Sequence, residues 1–87
     1  MNIEFDPRKA KFNLRKHGVS FDEAVTALFD PMALCFEDLA SRGENRWVLV
    51  GMSHLGRLLT VVYTLRNERI RIISARRSTR REIEDYA

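Results

Sequence analysis

The chain has few of the residues that cross-link, bind metals or cross membranes. Its 87 residues include one cysteine, Cys35, so no internal disulfide can form and no thiol pair can hold a metal. Such cysteine usage fits a reducing compartment, and a cytoplasmic location is expected. The longest apolar stretch, Leu58 to Leu65, is broken by threonines and falls far short of the ~20 residues that span a bilayer. The opening Met-Asn-Ile-Glu-Phe-Asp lacks the basic and then apolar order of a signal peptide. There is no His-x-x-x-His, no carboxylate cluster, no glycine-rich phosphate loop and no Gly-x-Ser-x-Gly turn. No metal and no cofactor is therefore expected. Internal repeats and low-complexity stretches are missing too. Lysine is absent from residues 46–87, where all nine basic residues are arginine.

What is present is an ordinary globular mixture, 45% hydrophobic and 31% charged, expected to form a single domain over residues 1–87. The net charge of +3 is unevenly spread, with −2 on residues 1–45 and +5 on residues 46–87. Arginine presents a planar fork of donors that matches phosphate oxygens, whereas lysine is a point charge. The bias points to a polyanion, above all RNA; the competing reading is a solvated surface that happens to use arginine.

The pattern predicts α+β structure in the order β-α-α-β-β-β-β-α. Ile3 to Phe5 reads as a short strand. Asp6-Pro7 opens a helix that Gly18 ends, with Ala10, Asn13, Leu14 and His17 on its inward stripe. Ser20-Phe21-Asp22-Glu23 is a capping box before a second helix whose apolar face is Phe21, Ala24, Val25, Leu28 and Phe29. Met32, Leu34 and Phe36 alternate as a strand with Cys35 inward, and residues 38–45 form a polar, mobile loop. Arg46–Ser53, Arg57–Leu65 and Arg69–Arg76 read as strands joined by turns at His54-Leu55-Gly56 and Arg66-Asn67-Glu68. A second capping box, Thr79-Arg80-Arg81-Glu82, starts the last helix. Short connections imply a twisted antiparallel sheet, with helices packed on one face.

One constellation can carry chemistry: Lys16-His17 at the end of the first helix, Arg46, Arg57, Arg66, and the arginines from Arg69 to Arg81. RNA is cleaved without a metal when its 2′-hydroxyl attacks the adjacent phosphorus. The reaction needs a base, an acid, and cations for the charge building on phosphorus. Histidine titrates near neutrality and arginines supply the charge. His17 has a second reading, as a helix-end histidine bonded to a carbonyl, and Lys16 as a charge against the helix dipole. Asn13 reads as a structural hydrogen-bonding residue and Trp47 as a packing anchor. Strict alternation would put Arg69, Arg71 and Ile73 on one face, and Ile70, Ile72, Ser74 and Arg76 on the other. Some arginines would then pair with Glu82, Glu84 or Asp85, or face a protein partner.

Several phrases together resemble the BrnT family of bacterial toxins. They are Phe5-Asp6, Lys9-Ala10, Asn13, Lys16-His17-Gly18-Val19, Phe21-x-Glu23-Ala24, Phe29-x-Pro31, and Arg46 with Gly51. Gly56-Arg57, Thr64-x-Arg66, Arg71-Ile72-Ile73-Ser74-Ala75-Arg76 and Tyr86 complete the match. Departures are Ile3-Glu4-Phe5-Asp6 for a Phe-x-Trp-Asp opening, Asn45 for a glutamate, and Ile83-Glu84-Asp85 in place of more basic residues. The resemblance implies a RelE-like fold and a metal-independent endoribonuclease that stops translation. It also implies a ribbon-helix-helix, BrnA-like antitoxin that carries the complex to operator DNA, the toxin touching DNA only indirectly. By motif position it implicates Lys16, His17, Arg66 and Arg76 in catalysis, with Arg57, Arg71 and Arg46 on the RNA. Two alternatives remain at this level: a non-catalytic family member that only binds RNA or antitoxin, and a DNA-binding regulator. The second is disfavoured because no helix-turn-helix signature is present.

Overall fold

The computed structural model describes residues 2–40 and 43–86. Its elements run β1 (Ile3–Glu4), α1 (Pro7–His17), α2 (Phe21–Leu28), β2 (Leu34–Asp38), β3 (Arg46–Met52), β4 (Leu58–Arg66), β5 (Arg69–Arg77) and α3 (Arg80–Tyr86). This is the expected α+β order. Of the loop expected over residues 38–45, Ser41 and Arg42 lie outside the described residues, and Asp38 belongs to β2.

Local chemistry explains the element ends. The Asp6 carboxylate accepts from the Arg8 amide at 2.8 Å, and Gly18 ends α1 at φ 69° while donating to the Leu14 carbonyl. The Ser20 hydroxyl caps α2 by accepting from the Glu23 amide at 3.0 Å. The other half of that capping box is missing, because the Glu23 side chain turns to Arg57 and Ser53 instead. At α3 the box closes both ways: Thr79 N–H donates to Glu82 and Glu82 N–H to Thr79. Asn67 (φ 49°) and Glu68 (φ 67°) form a two-residue turn between β4 and β5, both in the left-handed region that matches strand twist.

The sheet order is β1-β5-β4-β3-β2. The four strands joined by short connections pair antiparallel, as expected, whereas β1 pairs parallel to β5. Two helices intervene between β1 and the rest, so the short-connection argument does not reach it. α1 and α2 cover one face. Val19, Phe21, Ala24 and Ala27 pack there against Leu59, Val61, Ile72 and Ala75, all at most 1% exposed. Phe5 meets Phe21 edge-to-face at 5.3 Å. Gly51 lets α2 press on β3: a Cβ there would stand 2.6 Å from the Ala27 carbonyl oxygen. α3 differs from the other helices. Its Glu82 bonds Thr60, which alternates with Leu59 and Val61, so α3 closes over one end of the opposite face. Tyr86 then ties α3 to Asp30 beyond α2 through a 2.6 Å hydrogen bond. No described helix is long and apolar enough to cross a membrane.

Asn13 is the joint between α1 and the sheet. β1 pairs only with Ile70 and Arg71, so the outer edge of β5 is bare beyond them. Asn13 takes the place of a strand there: it accepts from the Ala75 amide (3.1 Å) and donates to the Ala75 carbonyl (2.8 Å) and the Val19 carbonyl (2.9 Å).

Candidate functional site

The face not covered by α1 and α2 carries the arginines, and a single irregularity decides which. Across β4 and β5, Val62 pairs with Ser74 but Tyr63 pairs with Ile72, so Ile73 is a bulge. Strict alternation put Arg71 and Arg76 on opposite faces; the extra residue reverses that. Arg76 pairs with Thr60, Ser74 with Val62 and Arg71 with Thr64, three β4 residues on one face. The core positions show the same step, since Ile70, Ile72 and Ala75 are all buried under the helices. Arg46, opposite Thr64 on β3, and Arg66 join Arg71 and Arg76 on the open face.

Where the bulge meets α1 there is a pocket of ≈ 260 Å³ lined by Lys9, Phe12, Asn13, Lys16, His17, Ile73 and Ser74. The bulge places consecutive residues, Ile73 and Ser74, in one wall. α1 supplies the other wall at i, i+3, i+4, i+7 spacing from Lys9, one position away from the stripe expected in sequence. Leu14 of that expected stripe is 51% exposed. Lys16 Nζ lies 5.9 Å from the Phe12 ring centroid, a cation held over an aromatic face. Lys16 and His17 thus share a pocket with Ser74, and Ser74 stands between Arg71 and Arg76 on its strand and face.

Arg76 is held by Glu82 through both carboxylate oxygens, at 2.8 and 2.9 Å. Glu82 also accepts from Thr60 and from the Thr79 amide. Chiefly because of Arg76, its pKa falls to about 2, so it is an ionised acceptor and a poor base at neutral pH. Arg66 lies elsewhere. It lies six positions along β4 from Thr60, the partner of Arg76, or about 20 Å at ~3.3 Å per residue. It grips Glu44 at 2.7 and 3.0 Å. The structure therefore gathers Lys16, His17 and the neighbourhood of Arg76, and leaves Arg66 at the far end of the face. Arg71 pairs with Glu4 at 3.4 Å. Arg57 belongs to the helix side, where it holds buried Glu23 through Nε (2.9 Å) and Nη2, with Ser53 as a second donor to that carboxylate.

Phe12 was not singled out in sequence, and Lys9 and Ser74 stood only in the family phrases, although the spacing of Lys9, Phe12, Asn13 and Lys16 contains the signal for the α1 wall. Cys35, expected in the core, is exposed on edge strand β2, its Sγ 3.2 Å from the Tyr63 hydroxyl. Desolvation, followed by that contact, raises the Tyr63 pKa. Trp47 is half-buried on β3. Among the described residues no three His, Cys, Asp or Glu side chains converge on a metal position.

The family model described as "Ribonuclease toxin, BrnT, of type II toxin-antitoxin system" matches residues 5–82. No curated protein matches the chain. Among solved structures, the 1.1 Å crystal structure of the Brucella abortus ribonuclease toxin BrnT superposes with a TM-score of 0.70 at 24% identity. It covers 92% of this chain and 99% of its own. At that identity the structural likeness speaks for the fold, and the match over residues 5–82 speaks for the family. The chain belongs to the BrnT family of ribonuclease toxins of type II toxin–antitoxin systems.

Proposed function

We propose that the protein is a metal-independent endoribonuclease that arrests translation by cutting RNA, and that a ribbon-helix-helix antitoxin neutralises it. The observation that carries the reading is the pocket in which Lys16 and His17 meet Ser74, with Arg71 and Arg76 on either side of Ser74 on one face. A 2′-hydroxyl gives its proton to a base in this pocket, and its oxygen attacks phosphorus. The bond to the 5′ oxygen breaks as that oxygen receives a proton, leaving a cyclic phosphate and a 5′-hydroxyl end. Lys16 and His17 are the proton-handling groups. Arg76 stabilises the charge on the phosphorane, its guanidinium plane oriented by Glu82. Toxin and antitoxin act in the cytoplasm, and the complex reaches operator DNA through the antitoxin.

A second reading has its own support. Arg57, Arg66, Arg71 and Arg76 each already hold a carboxylate of this chain, as in a binding surface that never turns over. Incubation with RNA in excess EDTA separates the two. Cleavage with cyclic phosphate ends supports the enzyme, and intact RNA removes it. Arg76→Ala should abolish growth arrest while the folded structure persists; continued toxicity would take Arg76 out of the site.

A further inference from the structure

The open face repeats one arrangement twice, and only one copy is complete. At Thr60, flanked on β5 by Arg76, the hydroxyl meets Ser78 Oγ and donates to Glu82, the carboxylate that Arg76 holds. Four residues along the same strand and face, Thr64 is flanked by Arg71 on β5 and Arg46 on β3, with Arg66 two residues on. Here too an arginine holds a carboxylate, Arg66 gripping Glu44. Thr64 is 1% exposed, yet its hydroxyl has no hydrogen-bond partner among the described residues. The Glu44 carboxyl is held below its usual range chiefly by its hydrogen bonds from Arg66, opposed by desolvation, with a smaller hydrogen-bonding contribution from Thr64 and the charge of Arg71. Any contact of the hydroxyl with Glu44 falls outside normal hydrogen-bond geometry.

A buried hydroxyl left unbonded costs ~1–3 kcal/mol, and such a group in a native protein needs a reason. Arg66 takes both oxygens of Glu44, and as that carboxylate is placed it does not accept from Thr64 in normal geometry, whereas Glu82 accepts from Arg76 and Thr60 together. A tetrahedral phosphodiester presents its oxygens in different directions, so one anion can accept from an arginine fork and from the threonine together. Side-chain pairs this exposed contribute little, so Glu44 is a weak competitor for the position.

We infer that Thr64, Arg66, Arg71 and Arg46 form a second phosphate subsite, holding the RNA backbone a few nucleotides from the scissile bond, with Glu44 as its intramolecular competitor. The inference rests on the ribonuclease reading for its ligand, and it gives Arg66 a role in substrate grip instead of chemistry. Some 13–20 Å of β4 separates this subsite from Arg76. The strand would thus run along the face from the α1 pocket toward the β4–β5 turn.

The test uses 2′-O-methyl oligonucleotides, in which the attacking hydroxyl is blocked, with affinity read by fluorescence anisotropy. The intact protein should gain affinity on going from a dinucleotide to a strand of about eight nucleotides. Thr64→Val and Arg66→Ala should each lose that gain, about tenfold. Arg66→Ala should also flatten the log affinity against log salt slope by about 0.7. Glu44→Gln should tighten binding of the long strand. Thr64→Val should leave the unfolding midpoint unchanged or higher, since it removes an unbonded hydroxyl; a lower midpoint would mark Thr64 as structural and overturn the subsite. So would variants that bind the long strand like the parent, or that weaken only antitoxin binding. The two readings fail separately. Absent cleavage with variant-sensitive binding retains the subsite and loses the nuclease, whereas cleavage that ignores strand length and these variants does the reverse.

Discussion

Arg57 immediately precedes β4 and Arg66 ends it, and each closes a two-pronged fork on a glutamate, using Nε and Nη2 in both cases. The residue types and donor atoms are alike, yet the consequences differ. Glu23, the partner of Arg57, is a 3% exposed residue of α2, fixed by Ser53 as well. Its pKa is lowered, first by Arg57. Glu44, the partner of Arg66, is exposed beside a loop, and the Arg66 side chain is 53% exposed. The first pair is part of the fold, because its carboxylate cannot be resolvated without opening the helix layer. The second can exchange its carboxylate for another anion at little cost. Burial of the acid, and not the identity of the base, separates a structural arginine from one free to bind phosphate.

The contrast can be broken most forcefully from the buried side. Arg57→Ala strands the Glu23 carboxylate and should lower the thermal midpoint by roughly 10–20 °C, whereas Arg66→Ala should move it by less than about 3 °C. Equal shifts in calorimetry would erase the distinction. Asn13→Ala tests the other buried polar joint. It leaves the Ala75 amide and carbonyl without partners and should cost about 2–3 kcal/mol in urea unfolding.

Arg76 lies between the extremes, paired like Arg57 but 40% exposed. Arg76→Ala should reduce cleavage by about 10²–10³-fold with a much smaller loss of stability than Arg57→Ala. A proportionate loss of both would recast it as structural. Acid should show the smallest effect. Glu82 and Glu23 both have depressed pKa values, so their stabilisation is whole above about pH 4.5 and fades as pH falls, for Glu82 toward about 2. Stability in Arg57→Ala should therefore depend less on pH between about 5 and 2 than in the parent. Unchanged steepness would mean that Glu23 does not take part.

Much of the fold was legible in short stretches of sequence. Asp6-Pro7, Gly18, Ser20 and Thr79 mark helix ends because capping is settled within four residues of chain. The strands and their turns were legible for the same reason. Lys16 and His17 were visible as candidates, and the structure gives them a shared pocket with Ser74. The sheet face of Arg76 was not legible, since one bulged residue at Ile73 inverts every position after it. Cys35 was misplaced because its alternation suits a buried strand equally well, and only strand order shows β2 to be an edge.

The arginine-rich second half, the α+β order and the family phrases are properties of the sequence by itself, since each depends on residue type and near spacing. Which carboxylate each arginine meets was decided by the tertiary structure alone. Glu23 lies 34 residues from Arg57 and Glu44 lies 22 from Arg66. Local sequence separates those two glutamates only as a capping-box residue and a loop residue, and the free energy that decides their roles is the desolvation each one suffers when the helices close over one face of the sheet and leave the other open.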